Sequence, residues 1–357
     1  MLFHEITDVP VDPAFRTDVL AGLGQPQKAI PARWFYDRVG SELFEAITTL
    51  PEYYPTRVET ALLAAHCGDV ARLTGTARAV VEFGSGSSIK TPHLLRAVDP
   101  CADVPVDISG EFLRTSAAAL GADFPELAVI PVEGDFTKRL DLPPAIAHAP
   151  KLGFFPGSTI GNLIARSAVD LLRTMRASLG TGGMLLIGMD RVKDPDILRA
   201  AYDDAAGVTA RFNMNLLVRI NRELAGTISV EAFAHEARWN DNYARIEMHL
   251  VATRDMAFTV ERQAFEMAVG SSIHTENSHK YGPRDARLLL RSGGWSPIAE
   301  WTDAANGFAH DGLDLFLRAG GPVAILVDHA VSAHLAGEDD AVGGGEGFAG
   351  DASLRVL

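Results

Sequence analysis

From about residue 57 to about residue 190, short apolar runs alternate with stretches of helical period. That alternation predicts a parallel sheet with crossover helices. The runs 79–83, 104–108, 128–132, 152–155 and 184–187 are the predicted strands, and 91–98, 111–120 and 165–179 the helices between them. A helix ahead of the first strand is predicted to start at Thr56, where Thr56 and Glu59 have capping-box spacing, and to stop before Gly75. Each strand runs into Gly, Asp or Ser, residues suited to loops at the carboxyl edge, where open α/β sheets take their ligands. The predicted fold class is therefore α/β.

After the fifth run the pattern breaks. The next α/β signal is a helix over 283–292, closed by Gly293 and Gly294, followed by strands over 297–301 and 313–317. The interval 190–281 is far longer than an ordinary crossover. It contains the alternating run YARIEMHLV (243–251), typical of a half-buried antiparallel strand. This predicts an inserted second domain, with the residues ahead of the sheet packing against it. The expected division is 57–200 with 281–328 as one domain and 1–56 with 201–280 as the other. The acidic, Gly-rich residues 329–357 are expected to form a flexible tail.

Composition narrows the function classes. The chain has 357 residues and a formal net charge of −14, which argues against nucleic-acid and anionic-membrane partners. The apolar runs are too short to span a bilayer, and the first residues lack the basic and apolar regions of a signal peptide. Two cysteines, Cys67 and Cys101, with no CxxC spacing fit a reducing compartment. A cytoplasmic protein is expected, with a small-molecule partner.

The candidate chemistry begins at VVEFGSGSSIKT (80–91), a buried strand feeding a Gly-rich turn and a helix. Gly84 and Gly86 let the backbone approach a ligand closely. A dinucleotide fingerprint and a phosphate-binding P-loop would each need glycine where Ile89 stands. S-adenosylmethionine has no phosphate to cradle, and Glu82 offers a carboxylate for its cationic methionine end. Asp107, 23 residues beyond Gly84, has the spacing of a ribose acceptor, and Asp135 with Phe136 suits the adenine.

The segments WFYDRVGS (34–41), LPEYYPTR (50–57), EFGSGSSIKT, PVDIS, EGDF and FPGSTIGN (155–162) occur together. In this combination the chain resembles the histidine Nα-methyltransferases of ergothioneine biosynthesis, from about residue 30 to about residue 310. The resemblance implies a Rossmann-like class I methyltransferase sheet that binds S-adenosylmethionine, and an inserted substrate-binding domain. It further implies that Tyr53 and Asn162 hold the substrate α-amine, with Tyr36 and Tyr202 near the amine and carboxylate. By the same resemblance Glu276 and Ser278 read the imidazole, Met248 lines the side-chain pocket, and Gly84, Ser85, Lys90, Asp107, Asp135 and Phe136 contact the cofactor. His274 is expected to be structural.

Methyl transfer from a sulfonium to an amine is an in-line displacement that needs no metal, and the sequence shows no Cys/His cluster at ligand spacing. The resemblance implies three successive transfers to histidine, giving hercynine, by a chain expected to be a monomer. Two alternatives stay open at this point. One is the same reaction on tryptophan or a modified histidine, which Glu276 and Ser278 would match badly. The other is a P-loop-like nucleotide-binding protein, against which Ile89 argues.

Overall fold

The computed structural model describes residues 11–86 and 88–303 and the backbone of 313–320. The expected tail at 329–357 lies outside the described residues. The chain opens with α1 (Pro13–Leu23), β1 (Lys28–Ala29), α2 (Arg38–Thr48) and α3 (Tyr54–Thr74). Next come β2 (Ala79–Phe83), α4 (Thr91–Val98), β3 (Ala102–Asp107), α5 (Gly110–Asp123), β4 (Ala128–Val129) and β5 (Val132–Glu133). Then follow β6 (Lys151–Phe155), α6 (Ala165–Leu179), β7 (Met184–Asp190), α7 (Pro195–Tyr202) and α8 (Val208–Glu223). The insert continues through β8 (Phe233–Asn240), β9 (Arg245–Ala252), β10 (Met256–Val260), β11 (Gln263–Met267) and β12 (Ser272–His279). The described chain closes with α9 (Pro283–Ser292), β13 (Trp295–Thr302) and β14 (Leu313–Gly320).

Local chemistry sets most helix starts. Asp12 and Asp37 accept from Ala14 N and Gly40 N and so cap α1 and α2. The start of α3 departs from expectation. It begins at Tyr54, with Pro55 in the first turn, where a missing N–H costs nothing. Glu59 does not reach back in a capping box; it is fully buried on the inner face. The predicted strand over 128–132 is split into β4 and β5, both paired to β3. Pro131 sits at the break and has no N–H for the ladder.

The main sheet has the order β13-β14-β7-β6-β2-β3-β4, with β5 also on β3. Strands β2, β3, β4, β6 and β7 pair in parallel, whereas β14 is antiparallel to both β7 and β13. The chain leaves β2 in one direction through β3 and β4 and returns on its other side through β6 and β7. The order therefore reverses between β2 and β6, the switch point where such sheets bind ligands beyond their carboxyl ends. Every residue of β2 and β7 is buried, as strands covered by helices on both faces require.

A second sheet, β1-β12-β9-β8, is built by the insert and by the N-terminal segment. Lys28 and Ala29 pair in parallel with Ile273 and His274, and Ile30 N donates to His274 O at 2.9 Å. One apolar cluster joins Phe15, Val19, Trp34, Phe35 and Tyr54 to Leu198, Phe212, Leu216, Leu250 and Ile273. The two faces of the main sheet have their own clusters, one under α6 and α9, the other under α3 and α4.

Candidate active site

A cavity of about 840 Å³ opens beyond the carboxyl ends of the parallel strands and continues beneath the second sheet. Its first wall is the turn after β2. Gly84 and Gly86 have φ of 73° and 50°, the left-handed region that glycine occupies without strain. At Gly84 a Cβ would stand 3.2 Å from the Phe136 ring, which itself meets Phe155 edge-on at 5.7 Å. Gly86 N donates to Asp107 Oδ2 at 3.2 Å and Ser109 N to Oδ1 at 2.9 Å, so the Asp107 carboxylate is fixed in the wall. Asp135 accepts from Thr137 N and Oγ1. Burial works against its ionisation, but these bonds and the Lys138 ammonium outweigh it and lower its pKa.

Two of the expected cofactor residues, Lys90 and Glu82, line the cavity while engaged with other side chains. Lys90 is ion-paired with the buried Glu59, whose carboxylate also accepts from Gly157 N at 2.8 and 3.0 Å. This pair ties the glycine turn to the turn after β6. Glu82 accepts from Thr91 Oγ1 at 2.7 Å, and burial, with Asp103 nearby, pushes its pKa well above the carboxylate range. The hydroxyls of Ser85 and Ser88 line the same wall, are buried, and have no hydrogen-bond partner among the described residues. Buried polar atoms are ordinarily paired, so these two hydroxyls, the glycine turn and the fixed Asp107 fit a polar, phosphate-free cofactor such as S-adenosylmethionine.

The opposite wall comes from the second sheet and the N-terminal segment. In β12 the pairing shifts by one residue between His274, opposite His249, and Glu276, opposite Met248. Thr275 is the extra residue; its hydroxyl donates to Asn213 Oδ1 at 2.9 Å. Beyond this bulge Glu276 and Ser278, two residues apart, both line the cavity. Met248 lies behind them and is buried. Asn162 ends the 3-10 turn Thr159–Asn162 and donates from Nδ2 to Glu276 Oε1 at 3.1 Å. Withdrawal from water pushes the Glu276 pKa up to about 7, with the Lys280 ammonium pulling the other way.

Tyr36, Tyr53 and Tyr202 complete this wall. The Tyr53 ring meets Phe44 at 6.3 Å and Tyr202 at 6.1 Å, and Tyr36 meets Phe44 and Phe212 at 5.7 and 5.8 Å. Burial, reinforced by Tyr202 beside Tyr53 and by Glu276 beside Tyr36, holds both phenols neutral far above their ordinary pKa. The structure thus brings all seven residues expected to face the substrate and those expected to face the cofactor into one cavity.

Sequence reasoning missed the layer behind them. Lys280 donates to Tyr202 OH at 3.0 Å, to Ser278 Oγ at 2.9 Å and to Asp190 Oδ2 at 2.8 Å. Asp190 in turn accepts from Tyr54 OH and Lys193. The only sequence signal for this layer is a lysine directly after the ENSH run and an aspartate ending an apolar strand. The sequence also gave no sign that Glu247, His249 and His274 bring ligand-type atoms within 4.8 Å of one another. His249 and His274 stack at 5.0 Å and 27°, and all three side chains are engaged: Glu247 by Arg245, Asn240 and His249, His249 also by Ser272, and His274 by the Glu276 carbonyl. That group is a structural hydrogen-bonded cluster.

A family profile described as histidine-specific methyltransferase, SAM-dependent, matches residues 15–313. The chain belongs to this family. It is 42% identical over 311 residues to the histidine N-alpha-methyltransferase of Mycolicibacterium smegmatis, covering 85% of this chain and 95% of that protein. Against the enzyme of the same description from Mycobacterium tuberculosis it is 41% identical, covering 83% and 93%. A more distant relative is the 4-dimethylallyltryptophan N-methyltransferase of Claviceps purpurea, 23% identical, covering 82% and 92%. The chain is thus an S-adenosylmethionine-dependent methyltransferase with a Rossmann-like sheet. No helix among the described residues is long and apolar enough to cross a membrane.

Proposed function

We propose that this methyltransferase trimethylates the α-amine of L-histidine to hercynine, the betaine that leads to ergothioneine. The observation that carries this reading is the single cavity in which Tyr36, Tyr53, Asn162, Tyr202, Glu276 and Ser278 face the glycine turn and Asp107. The reading takes residues 1–56 and 201–280 as the substrate-binding domain, supported by the apolar cluster and β1–β12 pairing they share. It takes 57–200 and 281–328 as the cofactor domain, of which 304–312 and 321–328 lie outside the described residues.

When bound, S-adenosylmethionine supplies an electrophilic methyl group on its sulfonium. Gly84, Ser85, Gly86, Asp107, Asp135 and Phe136 hold it, and the Glu59–Lys90 pair fixes the turn that carries Gly84, Ser85 and Gly86. Tyr53 and Tyr36 remain neutral phenols, able to accept an amine N–H without competing as nucleophiles. Asn162 keeps its carbonyl oxygen for the amine while its amide nitrogen holds Glu276. Such positioning of the amine contributes roughly 7–11 kcal/mol to a bimolecular transfer. Glu276, as carboxylate, accepts the imidazole N–H.

The reading takes the enzyme as a cytoplasmic monomer, a compartment that the unpaired cysteines, Cys67 buried and Cys101 exposed, fit. The test is mass spectrometry of histidine and tryptophan incubated with enzyme and S-adenosylmethionine. Mass gains of one, two and three methyl groups on histidine are expected. Methylated tryptophan with untouched histidine would overturn the substrate and leave the reaction class standing.

A further inference from the structure

Lys280 is fully buried, and each of its three N–H donors has a protein acceptor: Asp190 Oδ2, Tyr202 OH and Ser278 Oγ. It has no donor left for a ligand. Burial alone would discharge it, but Asp190 beside it more than reverses that and keeps it charged. Tyr202 OH and Ser278 Oγ are 2.7 Å apart, so one of the two must donate to the other. The phenol is the more acidic hydroxyl and the alkoxyl oxygen the better acceptor, so the proton between them belongs to Tyr202. Ser278 Oγ then accepts from both Lys280 and Tyr202, which fills both its lone pairs. Its own proton has no acceptor among the described residues and faces the cavity.

We infer that Lys280, anchored on Asp190, is a positioning residue that makes Ser278 an obligate donor and thereby restricts the site to substrates that offer a hydrogen-bond acceptor there. The inference rests on the proposed histidine reading. There the acceptor is the bare ring nitrogen, which leaves the ring N–H for Glu276 and selects neutral imidazole over imidazolium. The substrate carboxylate is the other acceptor with the same chemistry.

The test compares wild type with Lys280→Met and Lys280→Arg. Histidine binding is measured by calorimetry in the presence of S-adenosylhomocysteine, and kcat/KM is measured against pH. The groups facing Glu276 are Lys280 just beyond the end of β12, Asn162 from the 3-10 turn, Tyr36 and Tyr53 from the N-terminal segment, and Tyr202 from α7, with His274 Nε2 on its backbone carbonyl. Lys280 is the cation among them. Lys280→Met is expected to weaken histidine roughly tenfold to a hundredfold. It should also move the acid limb of kcat/KM upward by about one unit, because Glu276 loses its neighbouring positive charge. S-adenosylhomocysteine affinity should hold. Lys280→Arg keeps the charge but not the three-way donation: its acid limb should stay in place while histidine still binds more weakly.

Histamine, which lacks the carboxylate, separates the two acceptors. An equal loss for histidine and histamine assigns the ring nitrogen, and a loss confined to histidine assigns the carboxylate. If Lys280→Met does not fold, Lys280→Arg carries the binding arm. Histidine affinity unchanged in the variants, or a loss uniform across pH and shared by S-adenosylhomocysteine, overturns the inference. If wild type acts on another amino acid, the function reading fails separately, and the same variants are read with that substrate.

Discussion

At the scale of single residues, Glu276 has the most to lose from substitution. It is the carboxylate facing the imidazole in the proposed reading, and it is anchored by Asn162 at 3.1 Å. Truncation removes a charge-assisted bond, so Glu276→Ala should lower kcat/KM for histidine by about 100-fold. Binding of S-adenosylhomocysteine should be nearly unchanged, and tryptophan should gain activity relative to histidine. Equal turnover of histidine by both proteins would remove Glu276 from substrate reading. The same residue sets a pH dependence. Burial raises its pKa to about 7, and the accepting form is the carboxylate. Activity on histidine should therefore rise with pH through about 7, and Glu276→Ala should lose this component and keep only the part set by the substrate's own ionisations.

At the scale of elements, the site depends on a close fit between the 3-10 turn Thr159–Asn162 and β12. A Cβ on Gly161 would stand 2.8 Å from the His279 carbonyl oxygen and 3.2 Å from its nitrogen, both backbone atoms that cannot step aside. The His279 ring also binds Gly161 O at 2.7 Å, closing the turn onto the strand. Gly161→Ala should push the turn off β12, carry Asn162 away from Glu276 and lower kcat/KM at least tenfold. Cofactor affinity should stay near wild type, since the glycine turn is on another loop; steady-state kinetics beside calorimetry checks both. The elements themselves were largely legible. Apolar runs buried on both faces gave β2, β6 and β7 within a residue or so at their starts, and helical period with clear stops gave α4, α6 and α9. What stayed hidden was long-range. Thr56 and Glu59 have the spacing of a cap, yet Glu59 is engaged by Lys90 and Gly157, partners no local window contains. The break at Pro131 was readable in principle, but an apolar run hides a missing donor. Lys280 and Asp190 are 90 positions apart and carry no motif, because a lysine in sequence looks the same whether it meets water or a buried aspartate.

At the scale of the whole molecule, the sheet carries a titratable liability that the site does not use. Asp103 in β3 is fully buried, and neither carboxylate oxygen has a hydrogen-bond partner among the described residues. Burial raises its pKa to about 7, from an unfolded value of about 3.9. Glu82 nearby and Glu276 across the cavity are raised as well. A folded state with raised carboxyl pKa values binds more protons than the unfolded chain. The stability these groups contribute is complete below about pH 4 and lost as pH rises through about 7. Asp37, Asp135, Asp190 and Asp204 have lowered pKa values and act oppositely, losing their contribution as pH falls through the acid range. The free enzyme should thus be most stable on the acidic side of neutrality and weaken as pH rises to about 7. Asp103→Asn removes one raised carboxyl without changing its size. It should stabilise the protein at pH 8 by roughly 2 kcal/mol and at pH 5 by about a third of that, about half the full linkage values because the local structure relaxes around a buried charge. Urea unfolding of both proteins at the two pH values measures this directly. A variant whose stability falls with pH as steeply as wild type would show that Asp103 keeps an ordinary pKa in the folded chain.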